Sequence, residues 1–128
     1  MFIQIEFESE KPIYIQLKEQ IIRGIANGGL KEGESLPSVR QLASDIGINL
    51  HTVNKAYSLL KADEFISMDR RKGAIVNPIQ KKATDEYIEK LKEELRNNIA
   101  TAICKGINKE EYLKISNEIF SEYGEEKK

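Results

Sequence analysis

Apolar and polar residues alternate only briefly at the start of the chain. Ile3, Ile5 and Phe7 flank Gln4 and Glu6, which predicts a short half-buried extended segment. The period then lengthens. Tyr14, Leu17, Ile21, Ile22 and Ile25 recur at the spacing of one helix face. Pro12 opens that helix, since its missing N–H costs nothing in a first turn. Asn27, Gly28 and Gly29 break it, and a turn-rich link through Lys31, Glu32, Gly33 and Glu34 leads to Leu36 and Pro37. Ser38 reads as an N-cap with Gln41 completing a capping box, so a second helix is expected from about Val39 to Ile46. At the turn that follows, Gly47 takes left-handed backbone and Asn49 caps a third helix by accepting from the N–H near Thr52. This helix is expected from about Leu50 to Ala62, with Val53, Ala56, Tyr57 and Leu60 turned inward. Leu42, Ile46, Ile48 and Val53 are the residues that would seal the two crossing helices. Ala43 is small where they approach most closely.

Alternation returns at Ile66 and Met68, and again at Ala74, Ile75 and Val76, with Asn77 and Pro78 ending the run. Arg70, Arg71, Lys72 and Gly73 form the turn between, a β-hairpin at about residues 65–77. Two crossing helices followed by a basic hairpin are the layout of a winged helix-turn-helix, which sets one helix in the DNA major groove. Beyond Gln80, Lys81 and Lys82 the helical period resumes. Ile88, Leu91, Leu95, Ile99, Ala102 and Ile103 stripe a helix of roughly Thr84 to Lys105, stopped by Gly106. Asn108 with Glu111 makes another capping box, and Ile107 can staple onto Tyr112. The last helix carries Tyr112, Leu113, Ile115, Ile119, Phe120 and Tyr123, and a charged tail from Gly124 to Lys128 is expected to fray.

The expected fold class is therefore mainly α with a small β-hairpin. A winged helix-turn-helix DNA-binding domain occupies residues 1–78, and a short two-helix dimerisation region residues 79–128. Two helices cannot bury stripes this wide on each other alone. Self-association through Ile88, Leu91, Leu95, Ile99, Ile103, Ile115, Ile119 and Phe120 is the favoured reading, because such modules usually read two half-sites as a two-fold dimer. Packing within a monomer is the alternative.

The net charge of −1 says nothing in favour of nucleic acid, but its distribution does. Residues 36–82 hold 8 basic and 4 acidic side chains, whereas residues 83–128 hold 8 and 11. A basic middle between acidic flanks suits a module with one DNA-facing surface, chance clustering being the alternative. One cysteine, Cys104, excludes an internal disulfide and a thiolate-rich zinc site, and one histidine, His51, leaves no second imidazole for a metal cluster. No cofactor is expected. The acidic start (Glu6, Glu8, Glu10) is unlike a signal peptide, and no apolar run approaches the roughly 20 residues that span a bilayer. A cytoplasmic or nucleoid-associated protein without membrane contact is expected.

Candidate contacts follow from the layout. Arg40 can fork onto a phosphate or a guanine edge, or pair with Asp45. Ser38 can donate to a phosphate or serve only as a cap. Leu50, His51, Thr52, Asn54 and Lys55 surround the exposed N-terminal turns of the third helix. Asn54 suits adenine, Thr52 a thymine methyl or phosphate, His51 a base or phosphate, and Leu50 an apolar groove contact. Plain solvent exposure is the alternative for each. Tyr57 reads as core. Arg70, Arg71 and Lys72 can neutralise phosphates or enter the minor groove, and Gly73 permits close approach of the backbone. Lys81 and Lys82 add weak phosphate attraction.

Pro12, Ile13, Tyr14 and Gln16, followed by Gly33, Leu36, Pro37, Ser38, Arg40, Leu42 and Ala43, resemble the GntR family of bacterial transcription regulators. So do Thr52, Val53, Ala56, Tyr57 and Leu60, with Ile66, Gly73 and Val76 in the wing. The resemblance covers residues 1 to about 78, and the short tail is similar to the YtrA-like subgroup, whose C-terminal part dimerises. It implies a sequence-specific, homodimeric regulator of double-stranded operator DNA with an inverted repeat. It further implies a repressor of its own operon, often one encoding an ABC transporter. The larger effector and aminotransferase-like domains of other subgroups find no room here. Glu64 stands where many members have glycine, so that helix end is expected to differ locally. Leu50 and His51 depart from the family's usual polar or arginine residues.

Two other function classes compete with this one. Catalysis finds no nucleophile–base pair, metal cluster or phosphate-cradling glycine loop. A winged helix devoted to protein or RNA contact is the second, and the basic wing beside polar helix residues speaks for duplex DNA instead. An unidentified small-molecule effector seated between the winged domain and the tail helices is an expected mode of regulation. Cys104 reads as a packed thiol rather than a redox switch.

Overall fold

The computed structural model describes residue 1 and residues 3–124, and the chain divides into two units, Met1–Ile79 and Gln80–Lys128. In the first unit, α1 spans Ile13–Ala26. Pro12 sits at the cap, its carbonyl accepting from the Ile15 and Gln16 N–H groups. Leu17, Ile21 and Ile25 are buried as the apolar period requires, and so is Gln16, which no hydrophobic pattern selects.

Gln16 explains how residues 3–6 keep the expected half-buried extended course without pairing with a strand. Glu6 N–H donates to Gln16 Oε1 at 2.9 Å, and Gln16 Nε2 donates to the carbonyls of Glu6 (3.0 Å) and Lys11 (2.9 Å). One turn later, Gln20 makes the same reciprocal pair with the backbone of Gln4. Four helical residues rise about 6 Å, close to the roughly 6.6 Å between alternate residues of an extended chain. Two glutamine amides therefore stand in for a partner strand. Ile3 and Ile5 are half-buried, but Phe7 enters a turn and is exposed.

The helix-turn-helix is α2 (Val39–Ile46) and α3 (Leu50–Ala62), with Gly47 at φ 67° between them. Ser38 Oγ accepts from Gln41 N–H at 3.0 Å, but only this half of the expected capping box forms, since the Gln41 amide donates to Asp45 at 2.6 Å. Asn49 caps α3 through the N–H of His51, at 2.7 Å, rather than that of Thr52. Leu42, Ala43, Val53 and Ala56 are buried where the helices cross, and Ile46 and Ile48 pack half-buried at the rim.

Glu64 does not change the end of α3; it adopts the conformation a glycine would. Its φ is 66°, the one positive φ outside glycine among the described residues. The Glu64 N–H donates to Lys61 O and the Phe65 N–H to Leu60 O, which is a complete Schellman closure. Strand β1 (Ile66–Asp69) then pairs antiparallel with β2 (Gly73–Val76), Ile66 opposite Val76 and Asp69 opposite Gly73. The turn-rich link runs along the free edge of β2. Gly33 N–H bonds Val76 O, Val76 N–H bonds Glu34 O, and Leu36 N–H bonds Ala74 O, so the hairpin is anchored on both sides of β2.

The second unit consists of α4 (Asp85–Cys104) and α5 (Lys109–Glu122). Thr84 caps α4, Gly106 at φ 93° ends the turn after it, and both halves of the Asn108–Glu111 capping box form. Among the described residues neither helix has a fully buried side chain. Residues 125–128 of the charged tail lie outside the described residues. No helix among the described residues is long and apolar enough to cross a membrane.

Candidate nucleic-acid interface

Leu50, His51, Asn54 and Lys55 are exposed on the first turns of α3, and Thr52 is half-buried. The opposite side of the same helix carries Val53, Ala56, Tyr57 and Leu60, all in the core. Burial on one side thus fixes which side faces out. Lys55 is the residue whose head group is already engaged. Its ammonium lies 4.0 Å from the centroid of the Tyr14 ring on α1, a cation–π contact worth about 0.5–1 kcal/mol at an exposed site.

Arg40 is exposed near the start of α2 and forms no ion pair among the described residues. The alternative partner, Asp45, takes the Gln41 amide instead. Ser38 is exposed, its hydroxyl oxygen serving the cap. Tyr57 is 5% exposed and donates its hydroxyl to the Pro37 carbonyl at 2.7 Å. Burial pushes its pKa up to about 12. The bond ties the entry of α2 to the inner face of α3 across 20 residues of sequence.

Arg70, Arg71 and Lys72 are the three residues between the paired ends of the hairpin, all exposed, with Gly73 half-buried at φ 75°. Asp69 closes the turn. Its Oδ1 accepts from the N–H groups of Arg71 (2.8 Å) and Lys72 (3.0 Å), and these bonds hold its carboxyl below the usual range. The acid is spent on the backbone while three cationic side chains project from the tip. That arrangement suits a polyanion.

Sequence reasoning missed the fastening of this hairpin. Asn77 accepts the Ser67 hydroxyl and donates to the Glu64 carbonyl at 2.8 Å. The link at residues 33–36 adds the third edge. Neither leaves a periodic signal, because the partners lie ten or more residues apart and no hydrophobic pattern is involved. In the second unit, Ile88, Leu91, Leu95, Ile99, Ile103, Ile115, Ile119 and Phe120 are exposed, Ile103 at 64% and Phe120 at 58%. Cys104 is also exposed, not packed as expected.

Comparison with known proteins gives a consistent picture. The family model described as bacterial regulatory proteins, gntR family, matches residues 13–76. The HTH-type transcriptional repressor YtrA of Bacillus subtilis is 36% identical over 109 residues, 84% of each chain. The structure of YtrA from Sulfolobus acidocaldarius, a GntR-family transcription factor, is 39% identical, with a TM-score of 0.58 over 94% of this chain and 97% of that one. A transcriptional antiterminator from Listeria monocytogenes EGD-e is 31% identical, with a TM-score of 0.87 over 96% and 92%.

Proposed function

This chain belongs to the GntR family and is a DNA-binding transcriptional regulator, and on that premise we propose that it acts as a homodimeric repressor of its own operon. The carrying observation is the exposed polar start of α3 beside a hairpin tip of three cations, both braced by one core. In this reading Asn54, His51, Thr52 and Leu50 read base edges and the T methyl in the major groove. Arg40 and Ser38 bind phosphates at the start of α2, with Lys55 at the edge of the contact. Arg70, Arg71 and Lys72 grip phosphates or the minor groove, where Gly73 lets the backbone come close.

Dimerisation through α4 and α5 is the second half of the proposal. Helices of 20 and 14 residues in which no side chain is fully buried gain little from packing on each other, and a second copy supplies the missing apolar partner. A two-fold dimer matches an inverted-repeat operator, and its occupancy blocks transcription from the same site. Similarity to a named repressor supports the sign of regulation. Resemblance to the subgroup supports an operon encoding an ABC transporter.

The test is a gel shift on the chain's own upstream DNA at two salt concentrations, with random duplex DNA and structured RNA as competitors. Specific retardation that weakens steeply with salt and is lost when one half-repeat is scrambled is the expected result. Preferential competition by RNA, or no binding there and in a random-site selection, overturns the reading.

A further inference from the structure

We propose that Asn77 is a positioning residue that sets the angle of the wing against the end of α3; the inference rests on the DNA-binding reading above. Three bonds converge on it. Its Oδ1 accepts the Ser67 hydroxyl on β1, its Nδ2 donates to Glu64 O at 2.8 Å, and its backbone N–H donates to Phe65 O at 3.0 Å. Asp63, Glu64 and Phe65, which include the Schellman turn, are the whole connection between α3 and β1. One asparagine therefore holds the connector and the strand that leaves it. The Glu64 carbonyl it binds is oriented by that residue's left-handed backbone. Pro78 follows, and it restricts the Asn77 backbone to extended values, which limits where the amide can point.

The geometry makes this angle matter. The charges sit at residues 70–72, beyond strands of four residues, or about 13 Å. A rotation of about 10° at the base displaces the tip by roughly 2 Å over that length, enough to lose a phosphate contact. The edge formed by residues 33–36 secures β2, but its backbone hydrogen bonds go to Ala74 and Val76 and none reaches residues 63–65.

Asn77→Ala is expected to lower operator affinity roughly tenfold and to reduce the slope of log affinity against log salt by about one. The same change made in a variant with Arg70, Arg71 and Lys72 all replaced by alanine should cost nothing further, because a misaimed wing without charges has nothing to lose. Ser67→Ala should give a smaller loss in the same direction and add nothing to Asn77→Ala. It also serves where Asn77→Ala folds poorly. An equal loss in the charged and uncharged backgrounds, or an unchanged affinity in both single variants, overturns the proposal. Hydrogen exchange of the β1 and β2 amides provides a DNA-free arm, with faster exchange expected in Asn77→Ala. If the unaltered protein binds no duplex, the DNA-binding reading fails, and unchanged exchange separately rejects the role of Asn77.

Discussion

Glu64 shows how much one residue can carry. It holds a backbone conformation that costs an L-residue roughly 1 kcal/mol, and it persists because the Schellman bonds and the Asn77 amide over-determine it. Glu64→Gly should raise stability by about 1 kcal/mol in urea unfolding, with DNA affinity unchanged. Tyr57 makes the opposite kind of contribution, a satisfied buried hydroxyl. Its pKa is raised from 10.0 to about 12, so the folded protein keeps a proton that the unfolded chain loses first. The sign follows: stability is full below pH 10 and declines as pH rises toward 12. Tyr57→Phe should cost about 1 kcal/mol at neutral pH and flatten that alkaline decline, as melting temperatures across the range will show. At Asn54 the expected effect is on choice of sequence rather than grip. Asn54→Ala should relax preference at one base pair by about 1–3 kcal/mol, measured by competition among single-base operator variants.

Among the elements, α3 and the wing divide the labour. Removing one wing cation, as in Arg71→Ala, should weaken all duplexes alike and reduce the salt slope by about 0.9, in titrations from low to physiological salt. A change confined to one sequence would instead assign Arg71 to base readout. Both helices of the helix-turn-helix were legible from the residues, because caps and an apolar face at 3.6-residue spacing mark ends as well as existence. Ser38 and Asn49 marked their starts, and Gly47 the turn. The hairpin was legible too, since alternation and a basic glycine-ended turn are local signals. The extended segment at the start of the chain was legible too, but its partners, side-chain amides on a helix rather than another strand, were not. Nor was the third edge at residues 33–36, a purely backbone pairing in a stretch that reads as turns.

At the scale of the molecule, the second unit states its need most plainly. Leu95 and Ile99, in the middle of α4, are 38% and 36% exposed, and no residue of α4 is fully buried. Leu95→Glu is expected to yield a monomer by light scattering while the winged unit melts unchanged. Operator affinity should then fall by about 10²–10⁴-fold, the loss of effective concentration between paired half-sites. A dimer that survives this substitution would move the interface elsewhere.

What residue order settled was what depends on near neighbours: among the described residues five helices and one hairpin, the capping residues and stops that bound them, and which side of each is apolar. Periodicity and capping are local physics, so they are written locally. Only folding decided that Gln16 is buried, that Glu64 takes a glycine's backbone, that Tyr57 clasps Pro37, and that Asn77 joins the wing to the helix it serves. All of them draw on hydrogen bonds between residues ten or more apart, added at Glu64 to the local Schellman bonds, and that geometry exists once the core has closed around them.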